Sequence, residues 1–364
     1  MLPPVSIAAM AVTFLLMGIV VGGYGPLLEH LTKRFGVSLP VAGATISVQF
    51  FGALAGVLIA MRSFERLPAR LTVMVSCVVA TLGLTGVAAA LSWPFFLVSV
   101  FVFGVGFGGL DLGLNQVVAY SVGRRRAALL NGLNSAYPAG AVAGPVLVAA
   151  FAAAHFVALF LIVGAAFLAV APGFLGIAGR LPVGDAGRWP GRLVVTFVVA
   201  FVLYVGLEVG TGGWMTSHLE STGVASGAAA TLTSGFCLAL GTGRLLMLVP
   251  SPASEKQIVL TAAVLSSVAL GLATVSPIAP VAYVLAGFAM APIFPTGIVW
   301  LARLRPGDSR ATAWLYPAAS VGGVIGPGLI GIVIAQAGVA LAPLVLAGVA
   351  TAMSAAFVVA AVRR

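Results

Sequence analysis

Residues 103–145 read FGVGFGGLDLGLNQVVAYSVGRRRAALLNGLNSAYPAGAVAGP. Two apolar runs flank a basic turn, Arg124 to Arg126, and the first carries an acid, Asp111, well inside it. At helical spacing Gly108, Asp111 and Asn115 share one face, where small residues let neighbouring backbones come close. A face holding a carboxyl and an amide cannot look at hydrocarbon. The second run sets Asn131, Asn134 and Tyr137 along one face and closes on Gly140-x-x-x-Gly144-Pro145. Two polar-lined membrane helices are therefore expected to meet across a tight arginine turn.

The rest of the chain agrees. Of 364 residues 61% are apolar and 7% charged, with mean hydropathy +1.18, where a soluble domain has about a quarter of its residues charged. Apolar runs long enough to cross a bilayer fall near 6–29, 39–61, 70–91, 94–121, 128–153, 155–178, 192–217, 225–249, 257–276, 279–303, 310–336 and 338–362. Little chain is left for a soluble domain. The first run is too long for a signal-peptide core and ends Gly-Gly-Tyr-Gly-Pro26 rather than at a cleavage site, so it reads as a retained helix.

The net charge of +10 is a matter of topology, not of nucleic acid, because the basic residues punctuate loops instead of forming a patch. If twelve helices alternate, sixteen Lys and Arg fall on one side and only Lys33 and Arg34 on the other. The positive-inside rule then places both termini in the cytoplasm of a multi-pass protein of the cell inner (plasma) membrane. Cys77 and Cys237 sit inside apolar runs in different halves, where a thiol behaves as a small hydrophobe. Neither a disulfide framework, a metal site nor a cofactor is expected.

The chain repeats itself. Gly18 matches Gly206 and His30-Leu31 matches His218-Leu219 at one offset, and Tyr137-Pro138 with Gly144-Pro145 is echoed by Tyr316-Pro317 with Gly326-Pro327. The expected architecture is an all-α membrane protein of twelve transmembrane helices in two six-helix halves, 1–180 and 192–364, joined by a cytoplasmic linker, 181–191. Since both halves start on the same side, they are parallel repeats related by an axis along the membrane normal.

Twelve helices in two sixes, a basic central link and Gly-Pro closures in the fifth and eleventh helices resemble the major facilitator superfamily over the whole chain. Within it, Gly106-Phe-Gly-Gly-Leu-Asp-Leu-Gly-Leu-Asn115, Tyr204-Val-Gly-Leu-Glu208 and Pro292-Ile-Phe-Pro295 resemble the fucose permease branch of proton-coupled sugar symporters. The resemblance implies that Asp111 stands at a proton-accepting carboxylate, followed by Asn115, and that Glu208 stands at a polar substrate contact in helix 7. It departs in helix 1, where an aspartate expected near Gly22 is absent. It departs again after helix 2, where Gly56 is kept but Ala60 takes the acidic position.

Of eight acids only Asp111 and Glu208 lie well inside apolar runs, and such carboxyls are functional candidates by default. Arg244 reads as a residue of the cytoplasmic end of helix 8, snorkelling or bonding helix ends, with gating as its functional role. No basic residue is then expected to pair with either acid. Ionising them in a dry setting is costly, which suits proton uptake on one side and release on the other. Gln49, Asn134, Tyr137 and Tyr316 lie on faces that would offer a polyol donors, acceptors and a stacking surface. Trp214, six positions past Glu208, would join them only if Gly210, Gly212 and Gly213 break helix 7.

The expected function is proton-coupled symport of a small neutral solute, above all a sugar, by alternating access, with Asp111 and Glu208 in proton coupling. A proton-driven efflux antiporter for a drug or metabolite remains the alternative, since 21 Phe with Met290 and Phe294 would suit an apolar cargo. An enzyme is not expected, because no nucleophile with a base appears. The partners are the solute, protons and the bilayer, and the chain is expected to work as a monomer.

Overall fold

The computed structural model describes residues 2–37, 39–121, 126–181, 191–249 and 251–362. Arg124 and Arg125 of the basic turn, most of the expected linker and Arg363-Arg364 lie outside the described residues. Among those described there is no strand. The helices are α1 (Pro4–Gly22), α2 (Tyr24–Phe35), α3 (Leu39–Phe64), α4 (Ala69–Ala89), α5 (Trp93–Ala119), α6 (Arg126–Asn134) and α7 (Ala136–Val170), then α8 (Arg192–Ser221), α9 (Ser226–Leu246), α10 (Glu255–Leu272), α11 (Ala279–Met290), α12 (Ile293–Leu304), α13 (Ser309–Ala313), α14 (Leu315–Ala337) and α15 (Ala342–Val362).

They fall into the twelve runs expected from hydropathy. Breaks inside a run divide α1 from α2, α6 from α7, α11 from α12 and α13 from α14, while α7 carries two runs bent at His155, whose φ of −135° and ψ of 37° leave the helical region. Among the described residues, ten stretches are long and apolar enough to cross a membrane. The two runs without such a stretch are α6 with the first part of α7, and α9, whose Gly, Ala and Thr lower its hydropathy. Large apolar side chains such as Phe51, Ile162 and Leu329 are exposed on the helices, as segments solvated by lipid tails require.

The breaks have a local cause. Proline lacks an N–H and cannot bond the carbonyl four residues back. Pro138 follows the turn at Ser135 by three residues, and Pro317 follows the turn at Trp314 by three, so the Tyr-Pro repeat seen in sequence breaks the fifth and eleventh runs at matching points. Pro292 and Pro295 do the same between α11 and α12.

Two compact units result. One holds Met1–Arg124 and Ala136–Val183, the other Arg125–Ser135 and Gly184–Arg364. Inside the first, α1 packs on α7, α3 and α4 pack on α5, and α4 packs on α7. The second repeats this scheme with α8 on α14, α9 and α10 on α11, and α10 on α15.

Glycines set these approaches. A Cβ on Gly18 would strike the carbonyl of Tyr137 and stand 2.9 Å from the Ala141 nitrogen, so α1 and α7 touch backbone to backbone. Gly206 meets Gly326 of α14 in the same way, its absent Cβ falling 3.3 Å from the Gly326 Cα. Along α5, Gly104 and Gly108 face α3 while Gly106, Gly109 and Gly113 face α4, which clamps the helix carrying Asp111 from two sides.

Candidate functional site

In the first unit Asp111 sits half-buried on α5. Asn115, fully buried, turns its Nδ2 back one helical turn and donates to the Asp111 carbonyl at 2.8 Å and to Oδ1 at 3.0 Å. The i, i+4 spacing dictates this contact. On α3, Gln49 is 1% exposed, and neither of its amide atoms has a hydrogen-bond partner among the described residues. The hydroxyl of Thr45, one turn earlier and fully buried, is in the same condition. A buried polar group left so costs about 1–3 kcal/mol, and these three atoms share one helical face. Tyr137 is half-buried in the first turn of α7.

In the second unit the polar groups converge on Glu208. Arg244 Nη2 lies 3.6 Å from its Oε1. This corrects the expectation that no basic residue would reach the acid. Arg244 belongs to the last turn of α9, but a helical side chain leans toward the helix N-terminus, and its guanidinium turns inward, leaving the residue 5% exposed. Nε donates to the Ala291 carbonyl at 3.2 Å and Nη1 to the Asn134 carbonyl at 3.4 Å.

Both carbonyls owe their availability to proline. Four residues beyond Asn134 stands Pro138, and four beyond Ala291 stands Pro295, so each has lost its helical donor. Gly243 brings α9 within reach, since a Cβ there would lie 2.6 Å from that of Ala291 and 2.9 Å from the Phe288 carbonyl. Tyr204, one turn before Glu208 and fully buried, donates from its hydroxyl to the Met290 carbonyl at 3.3 Å. Asn131 Nδ2 meets Thr296 Oγ1 at 2.8 Å, which seats α6 on α12.

The other expected residues are placed as follows. Asn134 spends its side-chain amide on the Leu130 carbonyl, 2.9 Å away. Tyr316 is 1% exposed, and Phe294 meets its ring edge-on at 5.9 Å. Trp214 donates from Nε1 to the Pro327 carbonyl at 3.0 Å and lies against Gly331, while α8 runs unbroken through Gly210, Gly212 and Gly213. The structure brings Glu208 and Arg244 together with the backbone of Asn134, and keeps Trp214 on α14. Sequence reasoning quoted Tyr204 only as part of a motif and left out Thr296 and the Asn134 and Ala291 carbonyls; Pro138 and Pro295 were the available signal.

Residues 10–244 match the sequence profile of the Major Facilitator Superfamily. The chain belongs to that superfamily. No curated protein sequence matches it significantly. Among solved structures the chain is similar to the E. coli fucose:proton symporter FucP (TM-score 0.80, 17% identity, covering 97% of this chain and 98% of the other). It is similar to the human organic anion transporter TETRAN (TM-score 0.81, 17% identity, 98% and 100%) and to the proton:xylose symporter XylE (TM-score 0.76, 14% identity, 96% and 94%). As a major facilitator the chain is a multi-pass membrane transporter, and its two units share one packing scheme.

Proposed function

We propose that the chain is a proton-coupled symporter of a small neutral solute, above all a sugar, that works by alternating access of its halves, 1–180 and 192–364, with the linker 181–191 and both termini cytoplasmic. Two proteins that share its fold are named as sugar:proton symporters. The observation that carries the reading is the different company of the two intramembrane carboxyls.

Asp111 accepts from a neutral amide on its own helix. Asn115 can donate to that oxygen whether or not the acid holds a proton, so this contact survives loading and unloading. Glu208 instead faces the buried guanidinium of Arg244 at 3.6 Å. Asp111 therefore carries the proton. Glu208, with 26% of its side chain open, offers its carboxylate to a cargo hydroxyl. Gln49, Asn115, Asn134, Tyr137 and Tyr316 complete the proposed substrate-binding set, Trp214 being left out because α8 stays unbroken and its indole is held on α14, and the unpartnered amide of Gln49 supports a cargo that both donates and accepts. Arg244 gates the cytoplasmic side.

Proteoliposomes test this. With fucose and xylose as first cargoes, an inward proton gradient should drive accumulation. Asp111→Asn should bind and exchange the sugar yet lose accumulation, while Glu208→Gln should weaken binding by about 1–3 kcal/mol, the worth of one charge-assisted hydrogen bond. Accumulation that survives in Asp111→Asn overturns the assignment. Expulsion of cargo against an inward proton gradient would replace symport by antiport.

A further inference from the structure

We propose that Arg244 is a positioning residue for the cargo site: its guanidinium, clamped between the two backbone carbonyls that Pro138 and Pro295 leave without helical donors, fixes the Glu208 carboxylate for the cargo. The proposal rests on the assignment of Glu208 to cargo.

The geometry is that of a three-way fork. Nε, Nη1 and Nη2 face three acceptors, from Ala291, Asn134 and Glu208, at 3.2, 3.4 and 3.6 Å. These belong to the α11–α12 break, the end of α6 and the middle of α8. Because the guanidinium is planar, two backbone anchors fix the direction in which the third nitrogen points. Lysine could supply the charge but not the directions. Tyr204 uses the Met290 carbonyl, next to that of Ala291, so the same break holds the groups on both sides of Glu208.

The distribution of exposure separates positioning from a strut. A strut would need only the carbonyls. Here the Arg244 side chain is shut away while the Glu208 side chain keeps a quarter of its surface open, and at 3.6 Å the pair is not locked in the short bidentate pairing, about 2.7–2.9 Å, that a guanidinium can make. The acid is aimed rather than consumed.

Binding of fucose and xylose to purified full-length protein, with thermal unfolding of each variant, tests the proposal. Glu208→Gln and Arg244→Ala should each weaken binding about tenfold, as loss of one charge-assisted contact does, and the double variant should be no weaker than either single one. Arg244→Lys should not restore affinity. Pro295→Ala placed in the Arg244→Ala background gives Ala291 a helical donor again, so it should recover thermal stability while affinity stays low.

Recovery of affinity together with stability would reduce Arg244 to a strut and overturn the proposal. Affinity losses that multiply in the double variant, to about a hundredfold, would also overturn it, since the residues would then act independently. If Glu208→Gln weakens binding but Arg244→Ala does not, positioning falls and Glu208 stands. If neither sugar binds, or Glu208→Gln binds as the parent does, the assignment of Glu208 falls first and this proposal with it.

Discussion

Arg244 and Glu208 form an ion pair 3.6 Å long inside the second unit, longer than the 2.8 Å pair between Arg303 and Glu255. Burial, not distance, ranks the two. The Arg244 side chain is 6% exposed and that of Arg303 is 42% exposed, while Glu208 is 26% and Glu255 12% exposed, so water reaches the guanidinium of the shorter pair and only the acid of the longer one. Arg244→Ala should destabilise the protein by about 2–3 kcal/mol, a buried-pair loss reduced because Glu208 is partly open. Arg303→Ala should cost under about 1 kcal/mol. Thermal unfolding in one detergent checks the order.

Glycine substitutions should divide by what surrounds them. Ala at Gly18 would place its Cβ against α7 backbone, which cannot rotate away, and should cost about 1–3 kcal/mol as overpacking does. Gly212 and Gly213 on α8 have open space in the direction of a Cβ. Ala there should be neutral or stabilising by up to about 1 kcal/mol through helix propensity. Stability of the three variants decides.

Trp214→Phe removes the donor to the Pro327 carbonyl and keeps most of the ring packing. Stability should fall by about 0.5–1 kcal/mol, the scale of one interhelical hydrogen bond in a membrane. Sugar affinity measured beside it should not change, because the unbroken α8 keeps the indole on α14. An affinity loss larger than the stability loss would put the indole on the cargo.

His30, on α2 beyond the first span, stacks on Phe156 with ring centres 5.2 Å apart. Burial, then the positive charges of Arg34 and Lys33, hold its pKa below the ordinary 6.5. The unfolded chain therefore takes up a proton first as pH falls, and stability is complete above about 6.5 and declines below it. His30→Gln should flatten that decline in detergent unfolding from neutral to acid pH.

Composition and period determined the class of this protein from the sequence alone. Hydrocarbon tolerates only helices and closed barrels, whose backbone bonds are all made, and apolar runs of about 20 residues suit helices rather than the far shorter strands of a barrel, so these runs had one architectural answer. Repeated Gly and Tyr-Pro signals marked corresponding points of the two units, because a glycine contact and a proline break act on the local backbone wherever they occur. The Asp111–Asn115 hydrogen bond was legible for the same reason: a spacing of four along one helix sets it.

The partner of Glu208 was not legible. Arg244 stands at the end of its own helix in sequence, and nothing local says whether its side chain runs out to the headgroups or back into the protein. That was decided by acceptors 47 and 110 residues away, where two prolines stripped carbonyls of their donors and Gly243 let α9 close on one of them. Trp214 was decided likewise, by a carbonyl of α14 and a helix that stayed whole. A sequence specifies which groups a helix carries. Which of them meet depends on backbone breaks and side-chain directions in separate helices, and these acquire positions only when the helices pack.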